Sequence, residues 1–169
     1  MPRGLKETSS LIEIGFEVTE SAPNTFTEAR VDLQLNPLDN EVMIVYAVNL
    51  DPFTPDAVAG TDTSVVSSIT KTSQTAVQNL SNSSCIANAN LLIKAGGFVD
   101  GGVGFATGAQ ETPPSTLEYV SVIATNDFYI QVEGVNNVLP KGMTGRMYCA
   151  RARADASVYA ALVQSELLS

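Results

Sequence analysis

Apolar and polar side chains alternate with period two along most of this 169-residue chain, the spacing of strands that turn one face to a core and the other to water. The densest stretch is residues 117–135, where apolar runs at 117–124 and 128–133 flank Thr125-Asn126-Asp127. Their β-branched and aromatic residues suit a pleated surface, so a β-hairpin is predicted there. Earlier, Ile12, Ile14, Phe16 and Val18 alternate with Glu13, Gly15 and Glu17 in a half-buried strand. Ala29, Val31, Leu33 and Leu35 alternate with Arg30, Asp32 and Gln34 in a second. Clusters of turn residues at 21–24 and 36–40 close each one.

Residues 42–48 are apolar at both odd and even positions, which places them centrally, covered above and below. Pro52 and Pro55 lack the donor that a central ladder needs, so residues 51–56 read as a loop. The Ser/Thr-rich residues 64–73 form a weak strand. Residues 74–95 stay open between a short helix, capped by 81–84 and running through Leu91-Leu92-Ile93, and a strand at 91–94. Six glycines between 96 and 108 predict a bulged strand or two short ones, and Thr112-Pro113-Pro114-Ser115 leads into the predicted hairpin. Residues 146–153 make the last strand, with Met147, Cys149 and Arg151 on one face. Asp155 or Ser157 then caps a terminal helix with the apolar stripe Val158, Tyr159, Leu162, Val163 and Leu167.

The fold class predicted is all-β: a two-sheet antiparallel sandwich of about eight strands, a jelly roll, with a short C-terminal helix. Residues 1–10 form a flexible N-terminal arm, 11–154 the β-sandwich domain, and 155–169 a helix packing on the sandwich or on a neighbouring subunit.

Composition narrows the function. Charged residues are only 16% of the chain against 44% hydrophobic, so an outer surface of Ser, Thr, Asn and Ala is expected to face other protein. The net charge of −9 disfavours a general nucleic-acid binder, which needs clustered cations. Eleven of the 18 acidic residues precede residue 63, whereas Lys141, Arg146, Arg151 and Arg153 gather near the end. They read as a strand edge of solvated or salt-bridged cations, with a patch for an acidic neighbouring subunit as the alternative. No run reaches the roughly 18 apolar residues that span a bilayer, and the interrupted stretch 11–18 is not a signal-peptide core.

Candidate chemistry is sparse. With no histidine, Ser-His-Asp and Cys-His catalysis and histidine metal ligation are excluded. Asp62-Thr63-Ser64 is one copy of a motif that acid proteolysis needs twice, so an ordinary Asx turn is expected. Asp51, Asp56 and Asp62 share a loop region and offer oxygen ligands for calcium, but at no established spacing; whether they bind it stays open. Residues 96–108 lack the Lys-Ser/Thr of a phosphate loop. Cys85 and Cys149 are expected to be buried free thiols, and the glycosylation patterns at Asn79 and Asn82 to be accidental. Phe98, Phe105, Tyr119, Phe128 and Tyr129 suit a core better than a sugar site. No catalytic, cofactor-binding or metal residue is assigned, and no enzyme is expected.

The strand array, the charge-poor surface, the segment Ile123-Ala124-Thr125-Asn126-Asp127-Phe128-Tyr129-Ile130-Gln131-Val132 and the closing Arg146-Met147-Tyr148-Cys149-Ala150-Arg151-Ala152-Arg153 strand running into a short helix resemble one family. It is the small single jelly-roll major capsid proteins of tailless icosahedral viruses of bacteria and archaea. The resemblance implies a capsid subunit made in the host cytoplasm and carried in the virion. It implies self-assembly into an icosahedral shell with copies of itself and other virion proteins, and neither cofactor nor small-molecule substrate. The chain departs from many such proteins in lacking an Arg-rich arm, so no direct sequence-specific nucleic acid binding is expected and an internal membrane or inner protein layer would line the shell. The alternative is a viral spike or fibre, or a carbohydrate-binding β-sandwich module, using the loops at 51–62 and 96–108.

Overall fold

The computed structural model describes residues 3–97, 105–110 and 117–168. Among them are ten strands and one α-helix: β1 (Leu5–Glu7), β2 (Ile12–Thr19), β3 (Thr27–Asp32), β4 (Glu41–Pro52), β5 (Thr63–Thr70), β6 (Cys85–Lys94), β7 (Phe105–Gln110), β8 (Ser121–Ile123), β9 (Asp127–Val135), β10 (Gly142–Ala154) and α1 (Ala156–Leu168). They form two five-stranded antiparallel sheets. One runs β2-β10-β4-β8 with β1 also on β10; the other runs β3-β9-β5-β6-β7. When β1 and β7 are set aside and the other eight strands are numbered along the chain, the sheets read 1-8-3-6 and 2-7-4-5. That order is a jelly roll: the first and last strands lie side by side, and the chain crosses between sheets at nearly every step.

Alternation explains the layers. Val18 on β2, Met43 and Val45 on β4, and Met143, Met147 and Cys149 on β10 face Val65 and Ile69 on β5 and Phe128, Ile130 and Val132 on β9 in the core between the sheets. The Phe16 ring meets Phe128 edge-on at 5.8 Å. It reaches that position because the paired residue on β10 is Gly145, where a Cβ would stand 2.5 Å from Phe16 Cε2. The expected central strand is β4, paired with β10 on one side and β8 on the other. Its second face, Val42 and Ile44, is covered by Val158, Tyr159, Leu162 and Val163 of α1.

Several expectations need correction. Residues 117–135 do not form a hairpin, because β8 pairs with β4 in one sheet and β9 with β3 and β5 in the other. Alternation reports which face a side chain takes and is silent on which strand is its neighbour. The N-terminal arm is not loose throughout: β1 pairs with residues 152–154 of β10. Gly4 turns the chain at φ +77°, within reach of Val158 and Asp155 at the start of α1. Pro52 lies within β4, opposite Met143. The next amide, Phe53 N–H, donates to Gly142 at 2.8 Å, so by alternation the missing donor of Pro52 points away from the ladder.

The weak strand is β5, hydrogen-bonded on both sides by β6 and β9, and residues 85–94 are strand, which settles the open choice over 74–95. Of the glycine-rich segment, 98–104 lie outside the described residues and 105–110 are β7; 111–116, with the Thr112-Pro113-Pro114-Ser115 lead, also lie outside. Asp155 accepts the first helical bond, from Tyr159 N at 2.8 Å. Leu167, placed on the apolar stripe, is 73% exposed, and Glu166 is buried in its stead.

Candidate assembly surfaces

At one end of the sandwich three loops are bound together by carboxylates and amides. Glu20, after β2, is buried; it accepts Thr25 N at 2.7 Å, Gly134 N at 3.0 Å and Lys141 N at 2.8 Å. Asn24 and Asn137 exchange two bonds, and Asn137 also accepts Asp56 N and donates to the Ser64 carbonyl, both at 2.8 to 2.9 Å. Asp56 Oδ1 takes the Lys141 ammonium at 2.6 Å, and Oδ2 takes the amides of Val138 and Leu139, each at 2.9 Å. The Lys141 bond, and after it the Leu139 amide, holds the Asp56 carboxyl below the usual carboxylate range. These contacts fix a loop whose Val138 and Leu139 side chains are exposed beside exposed Val135 and Phe53.

The part of the outer face of the β3-β9-β5-β6-β7 sheet around Ser68, Thr70, Gln131 and Asn88 is covered by the chain's own loop at 71–84, through polar groups. Ser68 Oγ donates to Gln131 Oε1 at 2.7 Å, and Gln131 Nε2 donates to Thr70 Oγ1 at 2.7 Å and Glu28 Oε2 at 2.9 Å. Glu28 then receives Ser73 Oγ and the Gln74 amide from the loop. Asn88 Nδ2 holds the Gln78 carbonyl, and Gln78 N donates to Ser68 Oγ. Some of the Ser, Thr and Asn residues expected to face other protein, among them Ser68, Thr70 and Asn88, belong to this internal layer.

The outer face of the other sheet carries α1, and its decisive contact escaped the sequence reading. Glu166 is 2% exposed and accepts the amides of Ala124 at 2.7 Å and Thr125 at 3.0 Å. Those are the backbone donors of the corner between β8 and β9, which a hairpin ladder would have used. A signal existed: Glu166 follows Leu162 by four residues and Val163 by three, so helical spacing sets it on the buried stripe.

The expected site residues are dispersed into such roles. Asp51 stands on β4 opposite Thr144. Asp62 does not make the expected Asx turn; its Oδ1 caps the end of β6 by accepting Ala95 N at 2.8 Å and Gly96 N at 2.7 Å, with Lys94 at 3.3 Å on Oδ2. The Gly96 amide, then that of Ala95, lowers its pKa. Among the described residues no group of three or more Cys, Asp or Glu could hold a metal ion.

The remaining candidates are equally scattered. Neither Cys85 nor Cys149 is in a disulfide; Cys149 is buried, which pushes its pKa to about 11, and Cys85 is half-buried. Asn79 and Asn82 accept bonds from Ser81 and Ser84 in their own turns. Phe128 is in the core, Tyr119 is on the surface, Tyr129 is on the opposite face of β9 from Phe128, Phe98 and the side chain of Phe105 lie outside the described residues, and among the described side chains no aromatic platform assembles. All four late cations meet acids from the first part of the chain: Lys141 Asp56 at 2.6 Å, Arg146 Glu13 at 3.6 Å, Arg151 Glu41 at 2.6 Å and Arg153 Asp39 at 3.5 Å. The charge asymmetry follows from the jelly roll, which lays β10 against β2 and β4.

The flanks of the sandwich differ. On one, β1 and β2 carry Lys6, Glu7, Glu13 and Glu17, and β3 carries Glu28, Arg30 and Asp32; such charges discourage edge-to-edge pairing. On the other, β8 is three residues long, and β7, Phe-Ala-Thr-Gly-Ala-Gln, has no charge. A groove of about 260 Å³ beside β7 is lined by Thr54, Pro55, Leu91, Ile93, Ala106 and Gly108, with Leu92 and Thr107.

The geometry defines the class of protein: a ten-stranded, two-sheet jelly-roll sandwich with a docked C-terminal helix. No protein-family model matches the chain, and no curated protein does. Among solved structures it is similar to a chain from Desmodium yellow mottle tymovirus at 12% identity and a TM-score of 0.31, over 93% of this chain and 89% of that one. The fold assignment rests on the strand order.

Proposed function

We propose that this chain is a structural virion protein, a capsid subunit that assembles with copies of itself into an icosahedral shell. The observation that carries the reading is the rigid jelly roll itself. Each outer face is partly covered in cis, by α1 and by the loop at 71–84, and the loop carboxylates Glu20, Asp56 and Asp62 are bound to backbone amides, which leaves loop tips, one uncharged flank and the uncovered parts of the sheets as contact surface. Jelly rolls serve as capsid and lectin domains, so fold alone does not choose between them. Exposed Val138 and Leu139, held outward by Asp56, suit protein contact better than sugar binding. The resemblance in the strand array and closing segment favours a tailless icosahedral virus of bacteria or archaea as its source. The chain would work without catalysis or cofactor, in the virion, beside other virion proteins and an inner membrane or protein layer.

Sedimentation velocity over a broad concentration range tests this. Trimers, pentamers or larger closed species that grow with concentration are expected. A monomer throughout, or a glycan that binds the monomer stoichiometrically, would overturn the reading.

A further inference from the structure

The β7 edge is where the uncharged sequence and the apolar groove coincide. Ala106, Thr107 and Gly108 are exposed, and among the described residues β7 pairs on one side only, with β6. A bare strand edge is a row of unpaired amides and carbonyls, which natural proteins ordinarily shield with charge, proline or a bulge. Here β2 and β3 on the opposite flank have the charges and β7 has none. The groove sits directly behind it: Leu91 and Ile93, which face the sandwich interior from β6, are only half-buried, and Thr54 and Pro55 form the far wall. An exposed edge beside an apolar groove is the arrangement used in strand addition, where main-chain bonds supply affinity and the groove supplies selectivity.

We propose that β7 is a seam between two copies of this chain, its free edge pairing antiparallel with β7 of the second copy about a two-fold axis. The seam rests on the proposed function and says which surface performs part of it. Charge selects the occupant. A two-fold axis places a strand opposite itself, so β2 would set Glu13 and Glu17 near their own copies, and like charges in facing strands are unfavourable; β3 is already engaged through Glu28 by the chain's own loop at 71–84. β8 is too short to pair alone. β7 is the described edge of more than three residues that carries no charge, so it meets itself without such a penalty. Pairing also brings the two grooves edge to edge and removes their open sides from water.

The test uses the whole chain. Thr107→Cys in a Cys85→Ser background, with Cys149 buried, is labelled with pyrene, and excimer emission is followed as the protein associates. Thr107→Lys, which sets ammonium groups across the axis, is measured by sedimentation. The seam predicts excimer emission that rises with association, and association by the lysine variant at least about tenfold weaker than wild type with an unchanged melting temperature. If wild type associates but the label gives no excimer and the lysine variant associates equally well, the seam is wrong and the capsid reading survives. If wild type remains monomeric at every concentration, both fall.

Discussion

The two outer faces of this sandwich are partly covered, and by unlike materials. Over Val42, Ile44, Ala152 and Ala154 lies a helix that packs by apolar side chains and is locked by one carboxylate, Glu166. Over Ser68, Thr70 and Gln131 lies a loop without regular structure that is held by hydrogen bonds centred on Gln131 and Glu28. An apolar cover tolerates small shifts, since burial is non-directional. A polar cover does not, because each buried donor or acceptor left alone costs its full desolvation. The helical face should therefore loosen gradually and the loop face fail abruptly. Both covers come from the chain itself, which leaves the flanks, the loop ends and the uncovered parts of the sheets for contact between copies.

The strongest perturbation strikes beneath both covers. Phe128→Ala empties a fully buried site in the shared core and should cost about 3–5 kcal/mol; chemical denaturation should show both faces lost in one transition, and separate transitions would mean that the covers do not share a core. Next, Gln131→Ala orphans Ser68, Thr70 and Glu28 at once and should cost about 2–3 kcal/mol, with hydrogen exchange rising sharply through residues 71–84 and little under α1. Glu166→Gln keeps one acceptor for the corner amides and should cost about 1–2 kcal/mol. Faster exchange should then appear at Ala124 and Thr125 while the apolar contacts of α1 persist.

Acid gives the mildest test. Asp56 and Asp62 both titrate below the ordinary carboxylate value in the fold, so their contribution is complete above the unfolded pKa of about 3.9 and is lost as pH falls through the folded value. Amide shifts of Val138, Leu139, Ala95 and Gly96 should move together with the stability loss below about pH 4. Asp56→Asn should flatten that limb for Val138 and Leu139 alone.

What alternation encodes was readable from the chain: β2, the doubly covered β4, the closing β10, the terminal helix and the sandwich they imply. Pairing was not. Residues 117–135 look like a hairpin because both halves alternate, but the amides at their turn bind Glu166, 41 and 42 residues away. β5 looked weak because its outer positions include Ser68 and Thr70, and their fitness for a central strand depends on Gln131, itself held by Glu28, elsewhere in the chain. The loop aspartates looked like free ligands because nothing local shows that the amides of 95–96 and 138–139 come to meet them.

Negative-stain electron microscopy of the purified, concentrated chain tests the central claim most directly. Closed particles of one size, or rings of fixed symmetry that build them, are the predicted result; dispersed single sandwiches at every concentration and salt would contradict it.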